Sequence, residues 1–238
     1  MTVGDALKGL YERIDRVCRR IGRDPAEVRL MGVSKFHGPQ ALEAAWQGGL
    51  RLFGESRVQE AEGKFPGFIR EHPGTELHLI GSLQRNKARR AASLFDCIQS
   101  VDRNELITEL GALTVDRDRP LMILLELHTG EDSKSGYPGV EQLLSAAETA
   151  LAFPNLSLEG LMTIAPYTED REVIRASFRA LASARDQLRR RFPEAGRFGK
   201  APWSCLSMGM SGDFEIALEE GSTLLRIGTA IFGERTYG

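Results

Sequence analysis

An alternation of short apolar runs with helix-forming stretches constrains the fold of this chain more than any other feature. Eight runs have the length and the apolar content of buried strands. The stretches between them have helical periodicity or helix-favouring composition. The predicted strands are Val28–Ser34, Arg51–Phe53, Glu76–Ile80, Cys97–Ser100, Leu121–Leu127, Ser157–Leu161, Trp203–Ser207 and Thr223–Ile227. The predicted helices between them cover residues 39–48, 56–70, 84–94, 103–115, 138–151, 171–191 and 213–220.

This alternation predicts an α/β fold, a single (β/α)8 TIM barrel, a fold that usually takes about 250 residues. An open doubly wound sheet is the alternative arrangement of the same elements. No Gly/Ser-rich or Pro-rich linker interrupts the chain, so we expect residues 1–238 to form one domain.

Residue spacing also predicts a further helix and the start of another. Apolar residues at alternating steps of four and three predict an extra N-terminal helix ahead of the barrel. They are Val3, Leu7, Leu10, Ile14, Val17 and Ile21. Asp102, with Glu105 three residues later, predicts a capping box at the start of the helix over 103–115.

Charge and composition exclude several classes of function. A formal net charge of -2 gives no broad positive field, so we expect no nucleic acid or membrane partner. Charged residues break any apolar run within residues 1–25, which argues against a signal peptide and for a cytoplasmic protein. The three widely spaced cysteines and the absence of H-x-x-x-H spacing predict no metal site.

Two basic residues occupy unusual places at strand ends. Strand alternation puts Val33 and Lys35 on one face, so Lys35 points into the barrel mouth if Val33 faces the interior. Burial there favours a neutral, nucleophilic amine that suits Schiff-base chemistry; the alternative is a lysine that extends into solvent. Arg226 shares a face with Leu224 and points inward if Leu225 faces the helices. An inward guanidinium needs an acceptor, for which a carboxylate such as that of Glu55 is the structural alternative.

Two turns of small residues follow the last two predicted strands. They are Ser207-Met208-Gly209-Met210-Ser211-Gly212-Asp213 and Gly228-Thr229-Ala230. Both offer hydroxyl groups and closely approachable backbone N–H groups, as the phosphate-binding loops of barrels do. Such turns also occur without any ligand.

Motifs along nearly the whole chain resemble one known family. They are Val33-Ser34-Lys35, Phe53-Gly54-Glu55, Val58-Gln59-Glu60, His78-Leu79-Ile80-Gly81, Leu83-Gln84 with Asn86-Lys87, Ser133-Lys134-Ser135-Gly136, Gly160-Leu161-Met162, Leu206 to Ser211 and Arg226 to Gly233. By these segments the chain resembles the YggS/PROSC group of pyridoxal phosphate homeostasis proteins, which look like the N-terminal barrel of alanine racemase. The family usually has Asn-Tyr where this chain has Ser56-Arg57, and many members have Trp in place of Leu77.

The resemblance implies a cofactor and a set of residues that bind it. Pyridoxal 5'-phosphate (PLP) is expected as a Schiff base on Lys35, with Arg226 facing the pyridine nitrogen. The phosphate is expected on Ser207, Ser211, Gly228 and Thr229, and the resemblance places Ser56 and His78 among the cofactor-binding residues as well.

The resemblance leaves two functions open. The first is a monomeric carrier that buffers PLP and delivers it to PLP-dependent apoenzymes, with little or no catalysis. The second is a PLP-dependent amino-acid racemase of low activity, with Lys35 as the acid/base on one face of the substrate. Alanine racemase takes the opposing tyrosine from a second domain, for which a 238-residue barrel has no room. No tyrosine of the chain is an evident substitute, so we expect the carrier. The lysine at the mouth could also serve an aldolase, but that activity leaves Arg226 and the two turns unexplained.

Overall fold

Eight parallel strands close into a barrel in the order β1 to β8. The computed structural model describes residues 2–130, 135–195 and 203–233. The strands are β1 (Arg29–Val33), β2 (Leu52–Glu55), β3 (Glu76–Leu79), β4 (Cys97–Val101), β5 (Leu121–Glu126), β6 (Leu156–Met162), β7 (Cys205–Ser207) and β8 (Leu224–Ile227). The helices in this part of the chain are α1 (Val3–Arg20), α2 (Pro39–Gln47), α3 (Val58–Glu71), α4 (Ala88–Leu94), α5 (Asn104–Leu113), α6 (Val140–Leu151), α7 (Arg171–Arg191), α8 (Phe214–Glu219) and α9 (Thr229–Phe232). Short 3-10 helices lie at Pro25–Glu27 and Arg85–Lys87.

Closure of the sheet decides between the two predicted architectures. β1 pairs with β8, with Met31 opposite Arg226, so the sheet has no open edge. The barrel is therefore confirmed and the open sheet is wrong. Each predicted strand lies where a strand occurs, because periodicity locates the middle of an element better than its ends.

The predicted N-terminal helix is confirmed as α1. Its Thr2 hydroxyl accepts from the Asp5 backbone N–H (3.1 Å), while the Asp5 carboxylate accepts from the Thr2 backbone N–H (3.0 Å). This reciprocal cap fixes the first turn. The apolar side of the helix, including Leu7, Leu10 and Ile14, is buried. It packs α1 against α2, α8 and α9, where the barrel closes.

The predicted capping box at Asp102 is wrong. The residue that precedes α5 is Arg103, and no side chain caps this end of the helix. The Asp102 carboxylate instead accepts from the Arg103 guanidinium at 2.5 Å. Because α5 begins at Asn104, Asp102 lies one residue ahead of the capping position.

Strand alternation separates two kinds of core. Outward residues such as Leu225 and Ile227 pack under the helices. The inward residues Met31, Leu52 and Leu224 form a small separate cluster inside the barrel. Buried polar groups, among them Gln99, Ser207 and Arg226, also occupy the interior. In the described ranges, no helix combines the length and the apolar character needed to cross a membrane.

Candidate functional site

A cavity of about 410 Å³ opens at the carboxyl ends of the strands. Lys35 lies just after β1, Ser56 just after β2 and Arg226 within β8, and all three line it. Ser211, Gly228, and Thr229 complete this group of predicted residues around the cavity. Six of the eight predicted residues are therefore brought together, since parallel strands in a barrel end at the same rim.

The other two predicted residues lie deeper in the barrel. Ser207 is fully buried in β7, with its hydroxyl between Gln99 and Arg226. His78 points into the interior from β3 and lines a second cavity, of about 360 Å³, at the opposite end of the barrel. Cofactor contact by Ser207 and His78 stays a prediction, because neither borders the cavity that contains Lys35.

Arg226 is held by neutral acceptors rather than by a carboxylate. Its Nη1 donates to Ser207 Oγ and its Nη2 to the Thr163 carbonyl oxygen, both at 2.7 Å. The proposed alternative partner, Glu55, instead contacts Lys64 Nζ at 2.7 Å. Burial lowers the pKa of Arg226 to about 10, so its guanidinium keeps its charge at neutral pH. That positive charge is therefore available to a ligand in the cavity.

The two small-residue turns meet at one side of the cavity. Ser211 Oγ accepts from Thr229 Oγ1 (3.2 Å) and from the Ala230 backbone N–H (3.3 Å). Gly209 adopts a φ of +99° in the first turn, a conformation that favours glycine. Its carbonyl accepts from the Arg226 backbone N–H at 2.9 Å, which ties this turn to β8. Hydroxyls and backbone amides in this arrangement suit a phosphate group.

A partly buried ionic cluster fixes the backbone on both sides of Lys35. Lys64 Nζ donates to the carbonyls of Ser34 (2.9 Å) and His37 (3.3 Å). The Phe36 backbone N–H donates to Glu60 Oε1 at 2.5 Å, and Phe36 has a φ of +68°, which is unfavourable for a residue with a side chain. The cluster therefore supports a strained turn directly after Lys35.

Sequence reasoning missed this cluster and part of the cavity wall. Glu60 belongs to a family motif that the sequence left without a role, and Lys64 lies one helical turn later on α3. That spacing, i to i+4, was the available signal. Tyr167 and His37 also line the cavity, and each follows a strand end, a position that could have marked them.

The chain is similar to known proteins over almost its whole length. A family model described as the alanine racemase N-terminal domain matches residues 6–236. A pyridoxal phosphate homeostasis protein of Vibrio cholerae is 40% identical over 234 residues, which cover 97% of this chain and 95% of the relative. One from Aquifex aeolicus is 37% identical over 237 residues and matches across 100% of both chains. This chain belongs to the pyridoxal phosphate homeostasis protein family. The family predicted from the motifs is thus confirmed.

Solved structures of this family and of more distant proteins share the barrel. PipY of Synechococcus elongatus PCC7942, solved with PLP bound, is 31% identical with a TM-score of 0.83, and the match covers 98% of this chain and 100% of that one. Alanine racemase of E. faecalis is only 15% identical, with a TM-score of 0.68, and shows the same fold. The match covers 98% of this chain and 59% of the racemase.

Of the departures from the usual motifs of a pyridoxal phosphate homeostasis protein, Ser56 lines the cavity and Leu77 does not. Arg57 replaces the common tyrosine, and its guanidinium lies 5.7 Å from the centre of the Phe36 ring. This contact places a cation, rather than an aromatic ring, against the strained turn after Lys35. Ser133 and Lys134 of the Ser133-Lys134-Ser135-Gly136 motif lie outside the described residues.

Replacing Gly81 with alanine is expected to destabilise the fold by about 1–3 kcal/mol, because a Cβ at position 81 meets the Ser56 carbonyl oxygen at 2.2 Å. Backbone atoms cannot give way as a flexible side chain can. Urea unfolding measures the loss. Gly63→Ala on α3 is the matched control: a Cβ there meets nothing within 4 Å, so we expect a gain of up to about 1 kcal/mol. Equal stability of the Gly81→Ala variant and the unmodified protein contradicts the close contact.

Proposed function

We propose that this chain binds PLP covalently through Lys35, in the cavity at the carboxyl ends of the strands, and stores it for release. The observation that carries this proposal is the convergence of an amine, a charged guanidinium and two hydroxyl-bearing turns on one cavity. The relative solved with PLP bound supports the choice of ligand. A cavity of about 410 Å³ is within the usual range for a small-molecule site.

Each side chain has a definite task in this proposal. When PLP is bound, its aldehyde supplies a carbon with which the Lys35 amine condenses, releasing water. Ser211, Thr229 and the backbone at Gly228 would hold the phosphate, and Ser56 would donate a further hydrogen bond near the cofactor. Arg226 would face the pyridine nitrogen and keep its proton, so the ring would be a weaker electron sink than one paired with aspartate. Ser207 and His78, the other two predicted cofactor-binding residues, lie inside the barrel.

A weak electron sink favours storage over catalysis. An arginine facing the ring nitrogen does not transfer its proton, so it favours a carbanion at an amino-acid α-carbon less than an aspartate that keeps the ring protonated. We therefore propose a carrier that buffers PLP in the cytoplasm and transfers it, as a monomer, to PLP-dependent apoenzymes. Covalent storage also protects cellular amines from a reactive aldehyde.

The test compares transfer with turnover. Protein loaded with PLP is mixed with an apoenzyme that needs PLP, and recovery of the apoenzyme's activity is followed. In parallel, a panel of L-amino acids in deuterated water is examined for exchange of the α-proton. We expect transfer with little exchange. Turnover-level exchange without transfer overturns the carrier.

One observation favours the racemase as a second candidate. Tyr167 follows β6 and lines the cavity that contains Lys35, so a phenol lies at the same site as the amine. If this pair exchanges α-protons, Tyr167→Phe abolishes the exchange while leaving PLP transfer unchanged. Exchange that persists in Tyr167→Phe removes this candidate.

A further inference from the structure

A continuous series of hydrogen bonds runs through the barrel interior. It begins at the cavity that contains Lys35 and leads towards the opposite end of the barrel. Arg226 Nη1 donates to Ser207 Oγ at 2.7 Å, and the Ser207 hydroxyl donates to Gln99 Oε1 at 2.6 Å. Gln99 Nε2 contacts His78 Nδ1 at 2.8 Å, and His78 Nε2 contacts Glu76 Oε1 at 2.7 Å. The series joins β8, β7, β4 and β3, so it crosses the interior between strands that are not neighbours.

The chemistry of the groups sets the direction of every bond. A guanidinium only donates, so Ser207 accepts from it and passes its own proton to the Gln99 carbonyl oxygen. This orients the Gln99 amide nitrogen towards His78, whose Nδ1 must then accept. His78 therefore carries its proton on Nε2 and donates to Glu76. In this arrangement each member satisfies its neighbour, and every bond points away from Arg226.

The far end of the series is anchored by a carboxylate. Glu76 lies at the first position of β3 and Arg29 at the first position of β1. Arg29 Nη2 donates to Glu76 Oε2 at 2.6 Å. Although burial opposes ionisation, hydrogen bonds from His78 and Arg29 bring the pKa of Glu76 far below its ordinary value. A stable negative charge thus terminates the series.

Most members of this series are buried, which strengthens the hydrogen bonds between them. Gln99 and Ser207 have no exposed surface, and His78 and Arg226 are 3% exposed. In such surroundings hydrogen bonds are strengthened and polarise one another, and an unmatched donor or acceptor is costly. Removing a central member leaves its neighbours without partners, and they must rotate to find others.

We propose that Gln99, with Ser207 and His78, is a positioning residue that orients the Arg226 guanidinium at the cofactor cavity. Gln99 does not line that cavity, so it acts only through Arg226. Ser207 and the Thr163 carbonyl hold the two terminal nitrogens of Arg226 at separate points. This proposal rests on the proposed function insofar as Arg226 faces bound PLP.

The first test measures PLP binding and the visible spectrum of the loaded protein. Gln99→Met keeps the size of the side chain but removes its donor and acceptor. We expect PLP still fixed on Lys35 by borohydride, about tenfold weaker binding and a shifted pH midpoint of the visible band. A tenfold loss corresponds to about 1.4 kcal/mol. Leu124→Met, a buried interior change outside the series, is the matched control and should leave both readouts unchanged.

A double-mutant comparison separates positioning from a general loss of stability. In an Arg226→Met background, Gln99→Met should produce no further change in the midpoint or in PLP affinity, because its target is absent. The same shift in that background, or an unchanged midpoint and affinity in Gln99→Met alone, overturns the proposal. Thermal unfolding of each variant confirms that the compared proteins are folded.

The second test needs no PLP and therefore stands apart from the proposed function. In the protein without added PLP, nitrogen-15 NMR should show separate Nη signals for an Arg226 guanidinium whose rotation is hindered. It should also show the His78 proton on Nε2. Gln99→Met is expected to merge the Arg226 signals, and Leu124→Met is not. Identical Arg226 signals in Gln99→Met and the unmodified protein overturn the positioning role. Absence of PLP binding in the unmodified protein, with the NMR result as expected, overturns only the function.

Discussion

Replacing Lys35 with alanine is expected to abolish covalent PLP binding. The purified, PLP-loaded protein should show a visible absorption band, and borohydride should fix the cofactor mass on the peptide that contains Lys35. Lys35→Ala should lose both, because Lys35 is the one lysine that lines the cavity among the residues that the structure describes. Absorption spectra and peptide mass spectrometry measure the outcome.

Lys8→Ala is the matched control for this loss. The chain has six lysines. Lys8 is an exposed residue of α1, which precedes the first strand of the barrel, and it does not line the cavity. Its removal should leave the band and the modified peptide intact. A visible band that persists in Lys35→Ala, or a cofactor mass on another lysine in the unmodified protein, refutes the assignment of Lys35.

Replacing Lys64 with methionine is expected to destabilise the fold by about 3–5 kcal/mol, because it leaves a buried carboxylate without its cation. Glu55 is fully buried, and its Oε1 accepts from Ser34 Oγ and contacts Lys64 Nζ, each at 2.7 Å. Its Oε2 has no hydrogen-bond partner within the described part of the chain. The ion pair with Lys64 is therefore the main interaction that stabilises the buried negative charge of Glu55. Urea unfolding at neutral pH measures the loss.

Two comparisons test this explanation. Arg19→Met breaks an exposed pair with Asp15, in which the arginine side chain is 76% exposed, and should cost less than about 1 kcal/mol. Adding Glu55→Gln to Lys64→Met should recover part of the lost stability, since the unpaired charge is gone. A double variant no more stable than Lys64→Met alone contradicts the role of the buried charge.

The cost of Lys64→Met should also depend on pH. Burial raises the pKa of Glu55 above its ordinary value of 4.5, and loss of Lys64 removes a cation that opposes this effect. A carboxyl group with a raised pKa in the folded state binds its proton more tightly there than in the unfolded chain. The destabilisation should therefore be smallest below about pH 4.5 and grow as the pH rises through the raised pKa. A cost that is the same at pH 4 and pH 7 contradicts this linkage.

Much of the site could be predicted from the sequence because strand geometry is local. A period of two residues separates Arg226 from Leu225, whichever strands lie beside them. Lys35 follows Val33 by two positions in the same way, and both line the cavity. The two turns were recognisable from small residues just after strands. In each case the pattern extends over only a few consecutive residues.

The partners of those residues could not be predicted in this way. One sequence-based alternative predicts Glu55 as the partner of Arg226. The Arg226 guanidinium instead donates hydrogen bonds to Ser207 and to the Thr163 carbonyl. Glu55 lies on β2 and takes its cation from Lys64 on the following helix. Which partner an inward group meets depends on the stagger of the closed barrel, since a shift of one residue reverses the faces of a strand.

The sequence by itself determined the order of strands and helices, the family and the strand faces that carry Lys35 and Arg226, because these depend on periodicity and on short motifs. Closure of the sheet in the tertiary structure then decided for the barrel over the open sheet and turned both side chains towards the cavity. Only the tertiary structure revealed how the interior polar groups are connected. Gln99 and Ser207 are 108 positions apart and lie on strands that are not neighbours. Their contact exists because the barrel closes and brings opposite walls within hydrogen-bonding distance. No local pattern encodes a contact across that interior.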